Sequence, residues 1–249
     1  MSDWPHDNRY TFSAPLSTGD EATHEVYVKG SGPPILLLQE MPGIGPETLS
    51  LADRLVGAGF TIYLPHLLGT FGKLTPLRVT ARLFCVRREF KIFARGRQSP
   101  IAGWMCALAR DIRDRESAEG IGVIGMCLTG SFALTLMADD AVLGGVASQP
   151  SLPVLGGDHL HMSQQDIYAA RTGMARSGPG LALRFGCDRI ATARHMRALK
   201  KAFGDDLLTK DYPGKDHSLL TLDFHDPAYQ RVEAYFAERF ASITAQAPS

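Results

Sequence analysis

The chain has 249 residues, 45% of them hydrophobic, and 26 basic side chains balance 26 acidic ones to a formal net charge of zero. That composition suits a globular chain with a large core and gives no electrostatic pull toward nucleic acid or an anionic membrane surface. No apolar run approaches the roughly 20 residues that span a bilayer, and the polar start MSDWPHDNRYTF lacks a signal-peptide core, so a cytoplasmic location is expected.

Taken in chain order, His24–Lys29 (HEVYVK) alternates and reads as an antiparallel edge strand. Short apolar runs bounded by Gly or Pro follow, the pattern of strands buried on both faces: Pro34–Glu40, Phe60–Leu64, Ile121–Gly125, Gly145–Ser148, Leu181–Phe185 and a weaker Leu207–Tyr212. Helical spacing falls between them, over Thr48–Ala58, Ser99–Arg113, Ser131–Met137 and Ala191–Phe203. A last helix, Pro227–Ser242, carries Val232, Tyr235, Phe236 and Phe240 on one face. This alternation predicts one α/β domain over residues 1–249, with a mostly parallel sheet covered by helices on both faces.

Residues 66–98 differ from the rest. They are strongly basic, with Arg78, Arg82, Arg87, Arg88, Lys91, Arg95 and Arg97, and read as a helical insertion near the active-site face. Most of these cations suit a solvated surface, while one, Arg88 by preference, could reach a pocket and hold an anionic substrate group.

Four cysteines are present, Cys85, Cys106, Cys127 and Cys187, with no C-x-x-C pair, and are expected as free thiols. His159 and His161 lie two apart without a surrounding zinc pattern, so no metal site is expected.

One of these thiols sits in a distinctive place. In GVIGMCLTGSFAL, Cys127 follows a buried strand and precedes a helix, with the small residues Gly125 and Thr129 two positions to either side. A sharp strand–turn–helix bend needs small flanks because the two backbones approach closely. The pattern matches the nucleophile elbow of α/β-hydrolases, with Cys in place of Ser. There the helix dipole favours a thiolate, and the Leu128 N–H would face a developing oxyanion. On this motif alone, Cys127 is equally readable as a small core hydrophobe.

Chain order separates the two readings. α/β-Hydrolases run nucleophile, acid, histidine. Asp188 lies just after the Leu181–Phe185 strand, and His217 lies in the Gly-containing loop YPGKDHSLL before the last helix. Asp211 and Asp216 compete as acids and His225 as base, but they sit less well relative to the strand ends, and Asp226 reads as a helix cap before Pro227.

Together these residues resemble the dienelactone hydrolase family, over most of the chain from PILLLQE to the last helix. Four separated elements carry the resemblance: Gln39-Glu40 ending an early strand, the GMCLTG elbow, Asp188, and His217-Ser218 after a Gly turn. It implies a Cys127–His217–Asp188 triad and an oxyanion hole formed by the backbone N–H groups of Leu128 and Met41. It also implies that Glu40 contacts the resting thiol and yields it to the histidine when substrate binds. A carboxylate beside a thiol disfavours the thiolate, so such a contact would keep Cys127 quiet.

Three positions depart from the family pattern. Thr221 stands where dienelactone-cleaving members carry a substrate-binding arginine, Thr129 replaces an elbow glycine, and Pro65-His66-Leu67-Leu68-Gly69 replaces P-D-x-x-G.

The expected activity is cleavage of a small ester or lactone through a thioester acyl-enzyme, in a monomer that needs no metal or organic cofactor. The partner would be a small molecule, with an anionic one admitted by the basic segment, and neither nucleic acid nor membrane. Rival readings are a non-catalytic, ligand-binding member of the same fold and a redox-sensing thiol protein. The second leaves Asp188 and His217 without a role.

Overall fold

Val, Ile and Leu dominate the central strands because these strands are covered on both faces, and the resulting layers set where every loop emerges. The computed structural model describes residues 4, 8–73, 99–151, 160 and 162–244. The strands are β1 (Arg9–Pro15), β2 (Glu21–Lys29), β3 (Pro34–Leu38), β4 (Thr61–Pro65), β5 (Ile121–Met126), β6 (Val142–Ser148), β7 (Gly180–Phe185) and β8 (Leu207–Tyr212). They form one sheet in the order β1-β2-β4-β3-β5-β6-β7-β8. From β4 through β8 every neighbouring pair is parallel, whereas β2 runs antiparallel to both β1 and β4.

The helices are α1 (Pro46–Gly57), α2 (Ile101–Arg115), α3 (Gly130–Thr135), α4 (Gln164–Ser177), α5 (Ala193–Phe203) and α6 (Asp226–Thr244). Strand alternation sorts the core into two layers. In β3, Ile35 and Leu37 face α1 and α6, where Leu51, Leu55, Val232 and Phe236 are buried. Leu36 and Leu38 face the opposite layer, filled by Trp104 and Leu108 of α2, Leu134 of α3, Met174 of α4 and Leu199 of α5. Burying a side chain of this size stabilises the fold by about 1.5–3 kcal/mol before entropy is counted.

Two elements were not anticipated and one was misplaced. β2 is not an edge strand: β1 lies outside it, with Tyr10 opposite Val26 and Phe12 opposite His24. Alternation in β2 reports antiparallel pairing on a half-covered surface, and it carries no information on whether a further strand lies beyond. α4 begins at a reciprocal cap in which the Ser163 hydroxyl accepts from the Asp166 N–H and the Asp166 carboxylate accepts from the Ser163 N–H. The helix expected over Ser131–Met137 is shorter than that span, since α3 ends at Thr135 and a 3-10 turn, Leu136–Ala138, completes it. Of the basic segment, residues 74–98 lie outside the described residues, and with them Arg88 and Cys85. His159 and His161 lie outside them as well.

Register decides what can meet at the carboxyl ends of the parallel strands. Leu38 pairs with Gly125, Met126 with Ser148, Ser148 with Leu183, and Phe185 with Tyr212. The loops that follow β3, β5, β6, β7 and β8 therefore emerge side by side, which is where parallel α/β sheets bind ligands.

Candidate active site

Cys127 opens a 3-10 turn, Cys127–Thr129, between β5 and α3. Its φ is +53°, in the left-handed region that non-glycine residues seldom occupy. The bend needs its glycines for lack of space: a Cβ at Gly125 would lie 2.2 Å from the Thr129 carbonyl oxygen, and one at Gly130 would lie 2.9 Å from Pro150.

Thr129, the departure from the family pattern, serves as a buckle. Its hydroxyl accepts from the Met126 N–H at 2.9 Å and lies 3.1 Å from the Gln39 carbonyl and 3.3 Å from that of Leu38. It therefore ties the elbow to the end of β3. Gln39 continues the same seam, since its side chain donates to the Leu68 carbonyl at 2.9 Å and accepts from the Leu67 and Leu68 N–H groups.

Asp188 and His217 meet, although 29 residues separate them. His217 Nδ1 lies 2.7 Å from Asp188 Oδ2, and the other carboxylate oxygen accepts from the N–H groups of Ile190 at 2.7 Å and Ala191 at 3.1 Å. The Asp188 side chain is 1% exposed and that of His217 is 18% exposed. The loop bearing His217 is pinned from below by Asp223, whose carboxylate accepts from the N–H groups of His217 and Ser218 at 3.1 and 2.9 Å.

Electrostatics follow from this packing. Burial opposes ionisation of Asp188, but the hydrogen bonds from His217 and from the Ile190 and Ala191 N–H groups outweigh it and hold the carboxyl below its ordinary value. Burial likewise opposes protonation of His217. The Asp188 bond and the nearby Cys127 side chain overcome it, and the imidazole is pushed up to about 10. Its second nitrogen, Nε2, is buried, and a side-chain hydrogen bond between His217 and Cys127 contributes to the rise. The competing groups are engaged elsewhere. Asp211 forms a bidentate pair with Arg184 at 3.1 and 2.6 Å, Asp216 is exposed, and His225 packs against the rings of Phe185 and Tyr212.

Glu40, expected against the thiol, is buried two residues beyond β3 with its carboxylate surrounded by other donors. Thr221 Oγ1 donates to Oε1, while Ser218 Oγ and Gln149 Nε2 each donate to Oε2 at 3.2 Å. Burial raises the Glu40 pKa, and these three donors and the charge of His217 only partly offset that effect. Thr221, at the position where dienelactone-cleaving members carry an arginine, thus binds Glu40. Ser151 also reaches the Cys127 thiol, with its Oγ 3.2 Å from Sγ.

Leu128 lies in the turn that follows β5 and Met41 just after Glu40 beyond β3, the strand paired with β5. Sequence reasoning missed Ser151, Gln149 and Ser218 as members of this constellation. Ser151 and Gln149 carry one general signal, that they are polar residues directly after a buried parallel strand. Among the described residues no cluster of three or more His, Cys, Asp or Glu is placed to hold a metal ion, and no helix is long and apolar enough to cross a membrane.

A family model described as the dienelactone hydrolase family matches residues 24–239. The chain belongs to the dienelactone hydrolase family. By that membership it is an ester or lactone hydrolase with the α/β-hydrolase fold. Solved structures of low sequence identity share the fold. A candidate dienelactone hydrolase from Klebsiella pneumoniae is 16% identical, with a TM-score of 0.62 and coverage of 94% of this chain and 98% of that one. An esterase from Pyrococcus furiosus is 12% identical, with a TM-score of 0.60 and 93% of each chain covered. A promiscuous, dienelactone hydrolase-like phosphotriesterase from metagenomic libraries is 15% identical, with a TM-score of 0.57 and coverage of 94% of this chain and 99% of that one. No curated protein matches the chain by sequence. Within the family pattern, the two threonines that depart from it, Thr129 and Thr221, both make buried hydrogen bonds that join separate strand ends.

Proposed function

We propose that this dienelactone hydrolase family member cleaves a small ester or lactone with Cys127 as nucleophile, His217 as base and Asp188 as the group that orients the imidazole. The observation that carries the reading is the 2.7 Å bond between Asp188 and His217 Nδ1, which leaves Nε2 as the only ring nitrogen available for proton transfer, beside a thiol on a strained elbow.

In this mechanism the Cys127 S–H proton passes to His217 Nε2, and the resulting imidazolium is stabilised by Asp188. The thiolate sulfur bonds to the carbonyl carbon, and the carbonyl electron pair moves onto oxygen, which the N–H groups of Leu128 and Met41 receive. The tetrahedral intermediate collapses by breaking the bond to the leaving oxygen, which takes the proton from Nε2. Water then attacks the thioester, giving one proton to His217, which returns it to the departing thiolate as the acid is released. The raised basicity of His217 favours the first of these transfers.

Mass spectrometry of the intact protein after mixing with 4-nitrophenyl acetate tests the reading. An acetyl adduct is expected on Cys127 and is lost in Cys127→Ala together with 4-nitrophenol release. Hydrolysis that survives Cys127→Ala, or an adduct only on Cys85, Cys106 or Cys187, refutes it.

A further inference from the structure

Strand β7, GLALRF, is buried at every position, yet its fifth residue is charged. By alternation Leu181, Leu183 and Phe185 face the layer of α1 and α6, while Ala182 and Arg184 face α5. Arg184 is 2% exposed, and an apolar side chain there would avoid the cost of desolvating a guanidinium. What the guanidinium provides is reach to two partners at once. Its Nε and Nη2 donate to the two carboxylate oxygens of Asp211, its register partner on β8, and Nη1 donates to the Ala191 carbonyl at 3.0 Å.

Ala191 lies in the loop that carries Asp188. The first half of that loop is tied to the end of β8 by main-chain bonds, from the Gly186 N–H to the Tyr212 carbonyl at 2.7 Å and from the Cys187 N–H to the Gly214 carbonyl at 2.9 Å. The second half is held by side chains. Asp188 Oδ1 accepts from the Ile190 and Ala191 N–H groups, and Arg184 holds the Ala191 carbonyl. Ala191 is thus fixed at both of its main-chain polar groups, and Thr192 immediately after it caps α5 by accepting from the His195 N–H at 3.2 Å.

We propose that Arg184 is a positioning residue of this hydrolase, gripping the Ala191 carbonyl so that the Ile190 and Ala191 N–H groups hold the Asp188 carboxylate against His217. The proposal rests on Asp188 being the group that orients the catalytic imidazole. Arg184 acts through the main chain, since its charge is matched by Asp211 and its bonds among the described residues go to Asp211 and Ala191. The grip needs a planar fork. A lysine at 184 could pair with Asp211 as a point charge, but it would leave the Ala191 carbonyl without its donor.

The test compares wild type, Arg184→Lys and Arg184→Ala by amide hydrogen exchange and by the burst of 4-nitrophenol from 4-nitrophenyl acetate. Arg184→Lys keeps a cation beside Asp211 and so keeps the fold. In both variants exchange at Ile190 and Ala191 is expected to be roughly tenfold faster, the factor that about 1.4 kcal/mol of a charge-assisted hydrogen bond gives. Val123 and Ile124 in β5 should keep their wild-type exchange rates. The limiting burst rate should fall by a similar factor, with the half-saturating ester concentration unchanged. A cavity of about 300 Å³ lined by Arg184, Met196, Thr209 and Asp211 lies beside the guanidinium, so added guanidinium ion can enter Arg184→Ala there and should restore its burst rate. Wild-type exchange at Ala191 in Arg184→Lys overturns the proposal. Faster exchange shared equally by β5 also overturns it, because Arg184 would then be a general support of the fold. A burst rate in Arg184→Ala that guanidinium leaves unchanged does the same. The two readings fail separately. Faster exchange at Ala191 without any acyl adduct in wild type removes the hydrolytic mechanism and leaves the grip on the loop. An adduct that Arg184→Lys forms at the wild-type rate does the reverse.

Discussion

Thr129 offers the sharpest test of how the elbow is built, because substitution can remove its hydroxyl without changing its shape. Thr129→Val replaces Oγ1 by a methyl group at a position 1% exposed. The Met126 N–H, 2.9 Å from that oxygen, loses the acceptor that Thr129 supplies, at a cost of about 1–3 kcal/mol for a buried donor left unpaired. The single hydroxyl proton now shared among the carbonyls of Gln39, Leu38 and Met126 also disappears, which costs about 1 kcal/mol more. Together these give an expected loss of about 2–4 kcal/mol. Thr129→Ser keeps the hydroxyl and removes one buried methyl, so it should cost about 1 kcal/mol. Urea denaturation of the three proteins, with unchanged m-values, measures both differences. If Thr129→Val is as stable as Thr129→Ser or more so, the hydroxyl is not the buckle and the reasoning is refuted.

The Asp188–His217 pair should impose a pH dependence on stability. The folded-state pKa of His217 is raised from 6.5 to about 10, so its contribution is complete below about 6.5 and fades as pH rises toward 10. The pKa of Asp188 lies below its ordinary 3.8, so its contribution is complete above that value and fades as pH falls further. Urea titrations of wild type and Asp188→Asn should therefore differ most between about pH 4 and 6.5, by about 1.5–3 kcal/mol, and the difference should narrow as pH rises toward 10. Gly125→Ala places a Cβ 2.2 Å from the Thr129 carbonyl oxygen and should lower stability by about 2–4 kcal/mol while abolishing the Cys127 adduct, as calorimetry and mass spectrometry would read. Glu40→Ala leaves the side chains of Thr221, Ser218 and Gln149 facing a void and should cost about 2–4 kcal/mol in urea, whereas Glu40→Gln, which retains an acceptor oxygen, should cost less than half of that.

The parallel strands were legible because burial on both faces leaves no room for a polar alternation. PILLL can hardly be anything else between Pro33 and Gln39. Cys127, Asp188 and His217 stood out as candidates for a related reason, since each lies in a loop that follows a strand and their order along the chain matches the hydrolase pattern. α4 escaped notice because Arg171 and Arg176 interrupt a weak apolar stripe of Ile167, Ala170 and Met174, and Gly173 stands where a larger residue would have signalled a core. That glycine is required: a Cβ there would lie 1.6 Å from the Met137 carbonyl oxygen. β1 escaped because a seven-residue outer strand with three exposed or half-exposed polar positions looks like a loop. Thr129 and Thr221 were visible only as departures from a pattern. Their partners lie 90 and 181 residues away, a separation that no local spacing encodes. Ser151 had no motif at all, and its place beside Cys127 emerges only when β5 and β6 are placed side by side.

The positive φ of Cys127 has a consequence for how this protein would respond to selection. An L residue in that conformation costs about 1–2 kcal/mol that glycine would not incur. The chain thus holds the sulfur of its proposed nucleophile at a position where the most comfortable amino acid has no side chain. A search for heat-resistant variants that ignored activity would drift toward glycine at 127, and on the proposed mechanism that gain in robustness would be an end to chemistry. With Cys127 as the proposed nucleophile, residue 127 is the point at which fitness of the fold and fitness of the enzyme pull in opposite directions.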